Sequence, residues 1–306
     1  MITKLISFCF LISLCDSILR CSKINKPVKS DYFLMQTCTG SDKNIIAQTY
    51  AQNLDSCKNF SARYKGLGFN YADPDDFEIR KKNCIVYDCP EFNITAVKQY
   101  ESMFNYYSLY ARVFPTENMT CVPKEGIFMI SYSKLNYTDA AAKCEEYGGI
   151  LANIITEELS MRVANIIAKS QANKNRQMQA YVGMNDIEQE GVFVNTNGEP
   201  LNCLSFRSWA PGEPRSRYLN EDCVTIDANR YWRAQQCNKT FPFICEILPF
   251  GPLDLADAYC SSIDHQSIKK ECFDYYTSAE IDFENEVCNR TDEDNTVIRE
   301  RMLKTY

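Results

Sequence analysis

The sequence is poor in the residues that most catalytic and metal sites need. Its 306 residues include one histidine, His265, and two tryptophans. With one histidine, close to the C-terminus, the central part of the chain cannot assemble a Ser/His/Asp or Cys/His catalytic group. The cysteines also lack the paired Cys-x-x-Cys spacing of structural zinc sites. These absences favour a non-enzymatic protein without catalytic residues.

Basic stripes and long apolar segments are missing as well. No run of lysine and arginine could collect phosphates, so nucleic-acid binding has no electrostatic basis. After residue 14 no stretch approaches the roughly 18 apolar residues that a membrane span needs, and we predict no span. The net charge of −7 is uneven, since residues 254–306 carry thirteen acidic and six basic side chains. This composition is typical of a solvated acidic tail.

What the sequence does contain indicates secretion. An apolar run, Leu5–Leu14, follows Lys4 and is too short to span a bilayer, so we predict a signal peptide at residues 1–17. Sixteen cysteines are present, and the fourteen beyond that segment suit disulfide pairing in an oxidising compartment. Six Asn-x-Ser/Thr sequons predict glycosylation at some of Asn59, Asn93, Asn118, Asn136, Asn238 and Asn289. We therefore predict an extracellular, disulfide-bonded glycoprotein.

The chain divides at two breaks. A polar, sequon-bearing linker occupies Pro115–Asn118, and Leu248–Pro252 contains two prolines and a glycine. We predict a cysteine-containing module at 21–114, a second domain at 121–247 and an acidic, cysteine-containing tail at 248–306.

In the first module, apolar residues at spacings of three or four predict one amphipathic helix that carries Ile46, Tyr50, Leu54, Cys57, Phe60 and Tyr64. Ser41 and Asp42 are its candidate caps. Strands are predicted at 66–72, 84–89 and 106–113.

A cysteine on a helix, a Gly-Phe-Asn-Tyr strand and a cysteine that opens the next strand together resemble the PAN/apple domain. That resemblance implies a module that binds proteins or carbohydrates; the alternative is an unclassified disulfide-bonded α+β domain.

The second region carries a longer series of motifs. In order, they are Tyr137–Cys144, Gly148–Gly149, Thr156–Glu158, Tyr181–Met184, Asn197–Pro200, Trp209, Glu213–Pro214, Glu221–Ile226, Tyr231–Trp232 and Pro242–Glu246. Their joint order from Cys121 to Glu246 resembles the C-type lectin-like family. The resemblance implies an α+β fold with two helices, two small sheets and a long loop region, preceded by the smaller disulfide-bonded α+β module. It also implies the disulfides Cys144–Cys245 and Cys223–Cys237.

The other cysteine pairs stay open at this stage, namely those of Cys21, Cys38, Cys57, Cys84, Cys89, Cys121, Cys203, Cys260, Cys272 and Cys288. Five cysteines precede the second domain and three follow it. Because both numbers are odd, at least one disulfide should leave each of those regions unless a thiol stays free or pairs between chains.

The likeness to the lectin family breaks down at the calcium ligands. Sugar-binding members hold calcium with a Glu-Pro-Asn or Gln-Pro-Asp triplet, a later glutamate, and an Asn-Asp pair after a tryptophan. Here the triplet is Glu213-Pro214-Arg215, the later acid is Glu221, and Arg233-Ala234 follows the tryptophan. Calcium needs six to eight oxygens, so we predict no calcium at this principal site. We expect Arg215 and Arg233 to pair with Glu213 and Glu221 instead.

An accessory calcium site is a further candidate. The resemblance places Asp186, Glu190, Glu221 and Asp222 there, although Ser216 replaces an expected acidic residue. The alternative is that these are solvated loop charges. No other cofactor is predicted.

The resulting hypothesis is a secreted protein that binds an extracellular protein or matrix ligand through its long-loop face. The candidate ligand-binding residues are Glu213, Arg215, Arg217, Tyr218, Glu221, Trp232 and Arg233. For Trp209 and Trp232 the alternative role is packing beneath the loops. The alternative functions are a carbohydrate-binding lectin in immune or self-recognition and a structural component of the extracellular matrix. Sequence does not determine the oligomeric state.

Overall fold

The computed structural model describes residues 31–41, 43–74, 82–92, 104–111, 118–170, 178–215, 220–249, 266–271 and 274. The predicted signal peptide and most of the acidic tail lie outside these ranges. Within them, no helix is long and apolar enough to cross a membrane. We call residues 31–111 the N-terminal unit and residues 118–249 the second unit.

The N-terminal unit is an antiparallel five-stranded sheet covered on one face by a helix. The strand order is β1-β5-β3-β4-β2. Its elements are β1 (Phe33–Gln36), β2 (Ile45–Thr49), α1 (Leu54–Arg63), β3 (Gly68–Tyr71), β4 (Cys84–Tyr87) and β5 (Asn105–Ser108). A Cys57–Cys84 disulfide fastens α1 to β4. The strands predicted at 66–72, 84–89 and 106–113 correspond to β3, β4 and β5.

The helix predicted across residues 46–64 is wrong in its first half. Ile45–Thr49 is a strand, because it pairs with β4 from Ile45 opposite Tyr87 to Thr49 opposite Cys84. Ile46 and Tyr50 fit the helical spacing, but ladder hydrogen bonds to a distant segment outweigh a local periodicity. Tertiary pairing thus decides the conformation here.

The helix begins instead at an asparagine cap. Asn53 Oδ1 accepts a hydrogen bond from Ser56 N at 2.9 Å, which satisfies one of the free amides of the first turn. Ser41, a predicted cap, donates from its hydroxyl to Glu91 Oε1 at 2.6 Å. Asp42, the other predicted cap, lies outside the described residues.

The described residues of the second unit form two helices and eight strands. They are β6 (Met119–Val122), β7 (Gly126–Leu135), α2 (Tyr137–Glu146), β8 (Gly149–Leu151), α3 (Glu157–Ser170), β9 (Gln179–Asn185), β10 (Val194–Asn195), β11 (Cys223–Asp227), β12 (Trp232–Gln235) and β13 (Phe241–Ile247). The eight strands form one sheet in the order β12-β11-β9-β13-β7-β6, with β10 paired to β9 and β8 paired to β13. The two small sheets that the resemblance implies are therefore continuous, because β9 and β13 pair in parallel at Tyr181 and Phe243. The expected α+β fold is confirmed.

Both helices begin at a side chain that caps a free backbone amide. Asn136 caps α2, its Oδ1 accepting from Asp139 N at 2.9 Å. Thr156 Oγ1 accepts a hydrogen bond from Leu159 N at 3.1 Å at the start of α3. The positive end of the helix dipole stabilises the acidic residues in the first turn of this helix. The inner face of α3 is fully buried at Val163 and Ile167, within the largest apolar cluster.

Both implied disulfides of the second unit are present. Cys144–Cys245 joins α2 to β13, and Cys223–Cys237 joins β11 to the turn after β12. Their sequence separations are 101 and 14 residues. On the chain-entropy model such closures stabilise the fold by about 4.7 and about 3 kcal/mol. They hold the two ends of the segment that carries the long loops.

The two units are covalently joined by a further disulfide. Cys89 pairs with Cys121, and Lys124 N donates to Asp88 O at 3.0 Å beside it. Tyr110 packs in the same apolar cluster as core residues of the second unit. Gly126 faces it with φ of +146°, and a Cβ there would lie 2.9 Å from the Tyr110 hydroxyl. The disulfide that should leave the N-terminal region is therefore observed.

Cys38 and Cys203 are also disulfide-bonded, so all ten described cysteines are oxidised. Four of the cysteines left open by the sequence lie outside the described residues, namely Cys21, Cys260, Cys272 and Cys288.

Candidate binding groove on the long-loop face

An open groove of about 490 Å³ lies beside the edge strand β12. We call it the loop groove. Its lining is almost entirely polar and consists of Gln179, Glu213, Arg215, Glu221, Arg233, Ala234, Gln235 and Lys239. Four of the seven predicted ligand-binding residues, Glu213, Arg215, Glu221 and Arg233, are thus brought together. Arg217 and Tyr218 lie outside the described residues.

Strand alternation places the β12 side chains. Trp232 and Ala234 point into the core, whereas Arg233 and Gln235 line the loop groove. The indole of Trp232 is 0 % exposed and packs edge-on against Phe206 and Trp209. The prediction that Trp232 contacts a ligand is therefore wrong, because the strand turns this residue inward. It supports the loops from beneath, which was the alternative.

Two ion pairs order the arginines of the loop groove. Arg215 Nε lies 3.1 Å from Glu213 Oε1, as predicted. Arg233 Nε lies 3.5 Å from Asp227 Oδ2, not against Glu221. The expected Arg233–Glu221 ion pair is therefore wrong. Arg233 lies opposite Thr225 on β11, and this register makes Asp227 its diagonal neighbour on the same face of the sheet.

Asp227 is the residue that sequence reasoning missed. Its side chain is 1 % exposed, and its Oδ1 accepts from Asn229 N at 2.8 Å and Tyr231 N at 3.1 Å. An aspartate at the start of a short turn commonly accepts a hydrogen bond from the backbone amide two residues further on, so the sequence carries a signal for this contact. The turn between β11 and β12 thereby fixes the acid that holds Arg233.

Two carboxylate oxygens in the loop groove are buried without a hydrogen-bond partner among the described residues. They are Glu213 Oε2 and Glu221 Oε2. The Glu213 side chain is only 4 % exposed, whereas its partner Arg215 is 54 % exposed. Glu213 therefore forms a buried, half-satisfied acid beneath an accessible guanidinium.

This geometry does not fit calcium at the principal site. Arg215 contacts the carboxylate that a calcium ion would need, and Arg233 and Lys239 add two more cations to the lining. Among the described residues, no three or more acidic, histidine or cysteine side chains converge as a metal-binding group. The same holds for the proposed accessory set as far as the structure describes it.

Asp186 of that accessory set has a local role. Its Oδ2 accepts from Gly191 N at 2.8 Å, and its backbone amide donates to Asp222 O at 3.0 Å. Burial, and after it the neighbouring carboxylates of Glu190 and Asp222, raise the pKa of Asp186 to about 6. These contacts order the loop after β9.

The sequons occupy different surroundings. Asn59, Asn118 and Asn238 are exposed, whereas Asn136 is half-buried and its side chain caps α2. Asn93 and Asn289 lie outside the described residues, and so does His265.

Comparison with known proteins places the second unit. The family model described as "Lectin C-type domain" matches residues 133–247. This region is a C-type lectin domain. Human collectin-10 is 30% identical over 125 residues, which cover 41% of this chain and 43% of that protein. The human secretory phospholipase A2 receptor is 25% identical over 148 residues, which cover 48% of this chain and 9% of the receptor. The match thus spans less than half the length of these relatives.

Two solved structures are similar to this chain over less than half of its length. The mouse scavenger receptor C-type lectin carbohydrate-recognition domain is 21% identical, with a TM-score of 0.38, and the alignment covers 44% of this chain and 99% of that domain. A calcium-independent type II antifreeze protein is also 21% identical, with a TM-score of 0.38, over 45% of this chain and 96% of that protein.

Proposed function

We propose that this chain is a secreted, non-enzymatic binding protein that recognises an extracellular protein or matrix ligand through the loop groove, without calcium at the principal site. The observation that carries the proposal is the Arg215–Glu213 ion pair in the place of a metal ligand. Disulfide bonding of all ten described cysteines supports an extracellular location.

Charge repulsion supports the calcium-independent mode. A guanidinium about 5 Å from a divalent cation is opposed by about 7 kcal/mol at an effective dielectric of about 20. Arg215 and Arg233 both line the loop groove, so each would oppose an ion there. Their ion pairs with Glu213 and Asp227 order the loops in its stead.

The chemistry of the described lining supports a non-enzymatic role. Its described side chains are acids, amides, cations and one alanine, and they include no serine, cysteine or histidine that could form a nucleophile–base pair. Its arginines retain accessible donor groups, which are typical anchors for a binding partner.

Carbohydrate recognition is the second candidate function. It is favoured by the match of residues 133–247 to the C-type lectin family model. It differs from the leading proposal in the class of ligand and not in the location of the site.

The proposal is tested by applying the full secreted chain to matched arrays of extracellular matrix proteins and glycans, with and without a calcium chelator. We expect retention that chelation leaves unchanged and that Arg215→Gln reduces. Arg162→Gln, an exposed arginine on α3, is the matched control. Binding that disappears with the chelator would contradict the proposal.

A further inference from the structure

The turn between β12 and β13, residues 236–239, is held at several points. The amide of Lys239 donates to Gln236 O at 3.1 Å, and the buried hydroxyl of Tyr181 lies 2.8 Å from Lys239 O and 3.1 Å from Gln236 O. Cys237 O accepts from the amide of Tyr137 at 3.0 Å, and Cys237 carries a disulfide to β11. The backbone of this turn is therefore fixed on the lectin sheet.

The same turn borders the loop groove. Gln235, just before it, and Lys239, at its end, both line the groove, and Lys239 Nζ donates to Gln235 Oε1 at 3.2 Å. Asn238 directly precedes Lys239, so their Cα atoms are about 3.8 Å apart. A group attached to the side chain of Asn238 therefore begins next to the groove lining.

Asn238 is the first residue of a sequon with Lys239 and Thr240, and all three residues are exposed. An N-linked glycan is bulky and hydrophilic, so its asparagine must lie at the surface of the folded protein. Asn136 is less suited, because its Nδ2 donates to Asp139 Oδ2 at 2.7 Å while its Oδ1 caps α2. Asn238 can thus carry a glycan without the loss of a helix cap.

We propose that Asn238 carries an N-linked glycan that stands at the rim of the loop groove and restricts the access of bulky ligands to it. Because the backbone of the turn is fixed, the first sugar keeps a constant place beside Lys239. This inference rests on the proposed function, since it takes the chain to be secreted and the loop groove to be the ligand site. It names the regulation of that site.

The test first measures whether Asn238 is glycosylated in the full chain secreted from a eukaryotic host, by peptide mapping before and after endoglycosidase. It then measures how fast two amine-reactive esters modify Lys239. One ester transfers an acetyl group, and the other carries a polyethylene glycol chain. Both reagents report access to the loop groove without knowledge of its ligand.

A lysine distant from the groove serves as the internal reference. Lys124 is exposed and precedes β7. The other end of β7, Leu135, pairs with Phe241 beside the turn. Ten residues of strand span roughly 30 Å, so a glycan on Asn238 should not shield Lys124.

Two variants remove the sequon in different ways. Asn238→Gln replaces the acceptor amide, whereas Thr240→Ala keeps Asn238 and removes the hydroxyl that the sequon requires. We expect the polymer ester to modify Lys239 several-fold faster in both variants than in the parent, and the acetyl ester to modify it at similar rates in all three. Asn59→Gln, an exposed sequon on α1, is the matched control and should behave as the parent does. Thermal unfolding of each variant checks the fold.

Three results would overturn the proposal. They are an unmodified Asn238 in the secreted chain, equal rates of the polymer ester at Lys239 with and without the sequon, and an equal change at Lys124, which would show a general effect of the glycan. Retention on the arrays of matrix proteins and glycans separates this proposal from the proposed function. If loss of the glycan exposes Lys239 without any gain in retention, the loop groove is not the ligand site, although its access is controlled.

Discussion

The N-terminal unit and the C-type lectin domain both pack a helix against a sheet, but different kinds of side chain fill their interiors. Each has a mainly antiparallel sheet, and in each a disulfide joins a helix to a strand. The lectin core is mainly aliphatic around Trp232. The N-terminal interior is rich in tyrosines whose hydroxyls are hydrogen-bonded, as when Tyr32 donates to Gly66 O at 2.7 Å and Tyr106 accepts from Glu91 N at 2.8 Å.

The difference shows what specifies each unit. Buried hydroxyls and amides need partners in fixed places, so the N-terminal unit is held by directional hydrogen bonds. The lectin domain buries enough apolar surface to support a long segment between β10 and β11, and the Cys223–Cys237 disulfide fixes the C-terminal end of that segment. Its loops can therefore vary in charge, and in this chain Arg215 and Arg233 line the loop groove.

Removal of the long lectin disulfide should have the largest effect on stability. We expect Cys144→Ala with Cys245→Ala to lose about 4.7 kcal/mol, because the bond closes a loop of 101 residues. The matched pair Cys57→Ala with Cys84→Ala closes 27 residues and should lose about 3.5 kcal/mol. Denaturant unfolding of the two variants measures both. A larger loss for the N-terminal pair would break the comparison.

Buried asparagines should reveal the stronger reliance of the N-terminal unit on polar contacts. Asn83 is fully buried and makes three side-chain hydrogen bonds to the backbone of Ala51 and Ala72. We expect Asn83→Ala to cost about 3 kcal/mol, since three buried groups lose a partner.

Asn153 of the lectin domain is the counterpart. Its Oδ1 accepts from the amide and the hydroxyl of Thr196. Asn153→Ala should cost about 2 kcal/mol, because fewer groups are left unsatisfied. Chemical denaturation of both variants gives the ranking, and the reverse ranking would contradict the view that polar contacts matter more in the N-terminal unit.

Helix caps should show where the two units are alike. Asn53 caps α1 and Asn136 caps α2, each with a hydrogen bond of 2.9 Å. Replacement of either by alanine should cost about 1 kcal/mol. The comparison needs unglycosylated protein, because Asn136 lies in a sequon. Thermal melts that differed by more than twofold in free energy between the two variants would show that their caps are not equivalent.

A buried acid distinguishes the lectin sheet by its pH dependence. Burial raises the pKa of Glu246, on β13, above the ordinary glutamate value. The folded state therefore holds a proton that the unfolded state releases, and this contribution to stability is lost as the pH rises above the unfolded pKa.

Glu246→Gln should thus match the parent near pH 4 and become relatively more stable as the pH rises. Its amide oxygen can still accept from Asn153 N. Denaturant midpoints from pH 4 to 8 measure the trend, with the exposed Glu145→Gln as control. If the difference in unfolding free energy between the variant and the parent did not change with pH, the Glu246 carboxyl would not be the source of the pH dependence.

The sequence predicted most where motifs were local and ordered. The disulfides Cys144–Cys245 and Cys223–Cys237 follow from cysteines that stand at the family's positions. The N-terminal helix was half wrong because β2 is set by pairing with β4, about 40 residues away. In a segment this short, the spacing of apolar residues is the same for a strand as for part of a helix, so the sequence does not distinguish the two.

The site was predicted unevenly for the same reason. Arg215 and Glu213 are two residues apart, so their ion pair could be expected from sequence. The partner of Arg233 depends on the register of β11 and β12, which only the folded sheet defines. Trp232 was misjudged because strand alternation, not residue type, turns its indole inward.

The absence of calcium from the principal site is the central claim, and calorimetric titration of the full secreted chain with calcium tests it most directly. We expect no sub-millimolar binding that depends on Glu213, because Arg215 already occupies this carboxylate at 3.1 Å. Parent protein and Glu213→Gln should therefore give the same titration. Sub-millimolar calcium binding that Glu213→Gln abolishes would contradict the account.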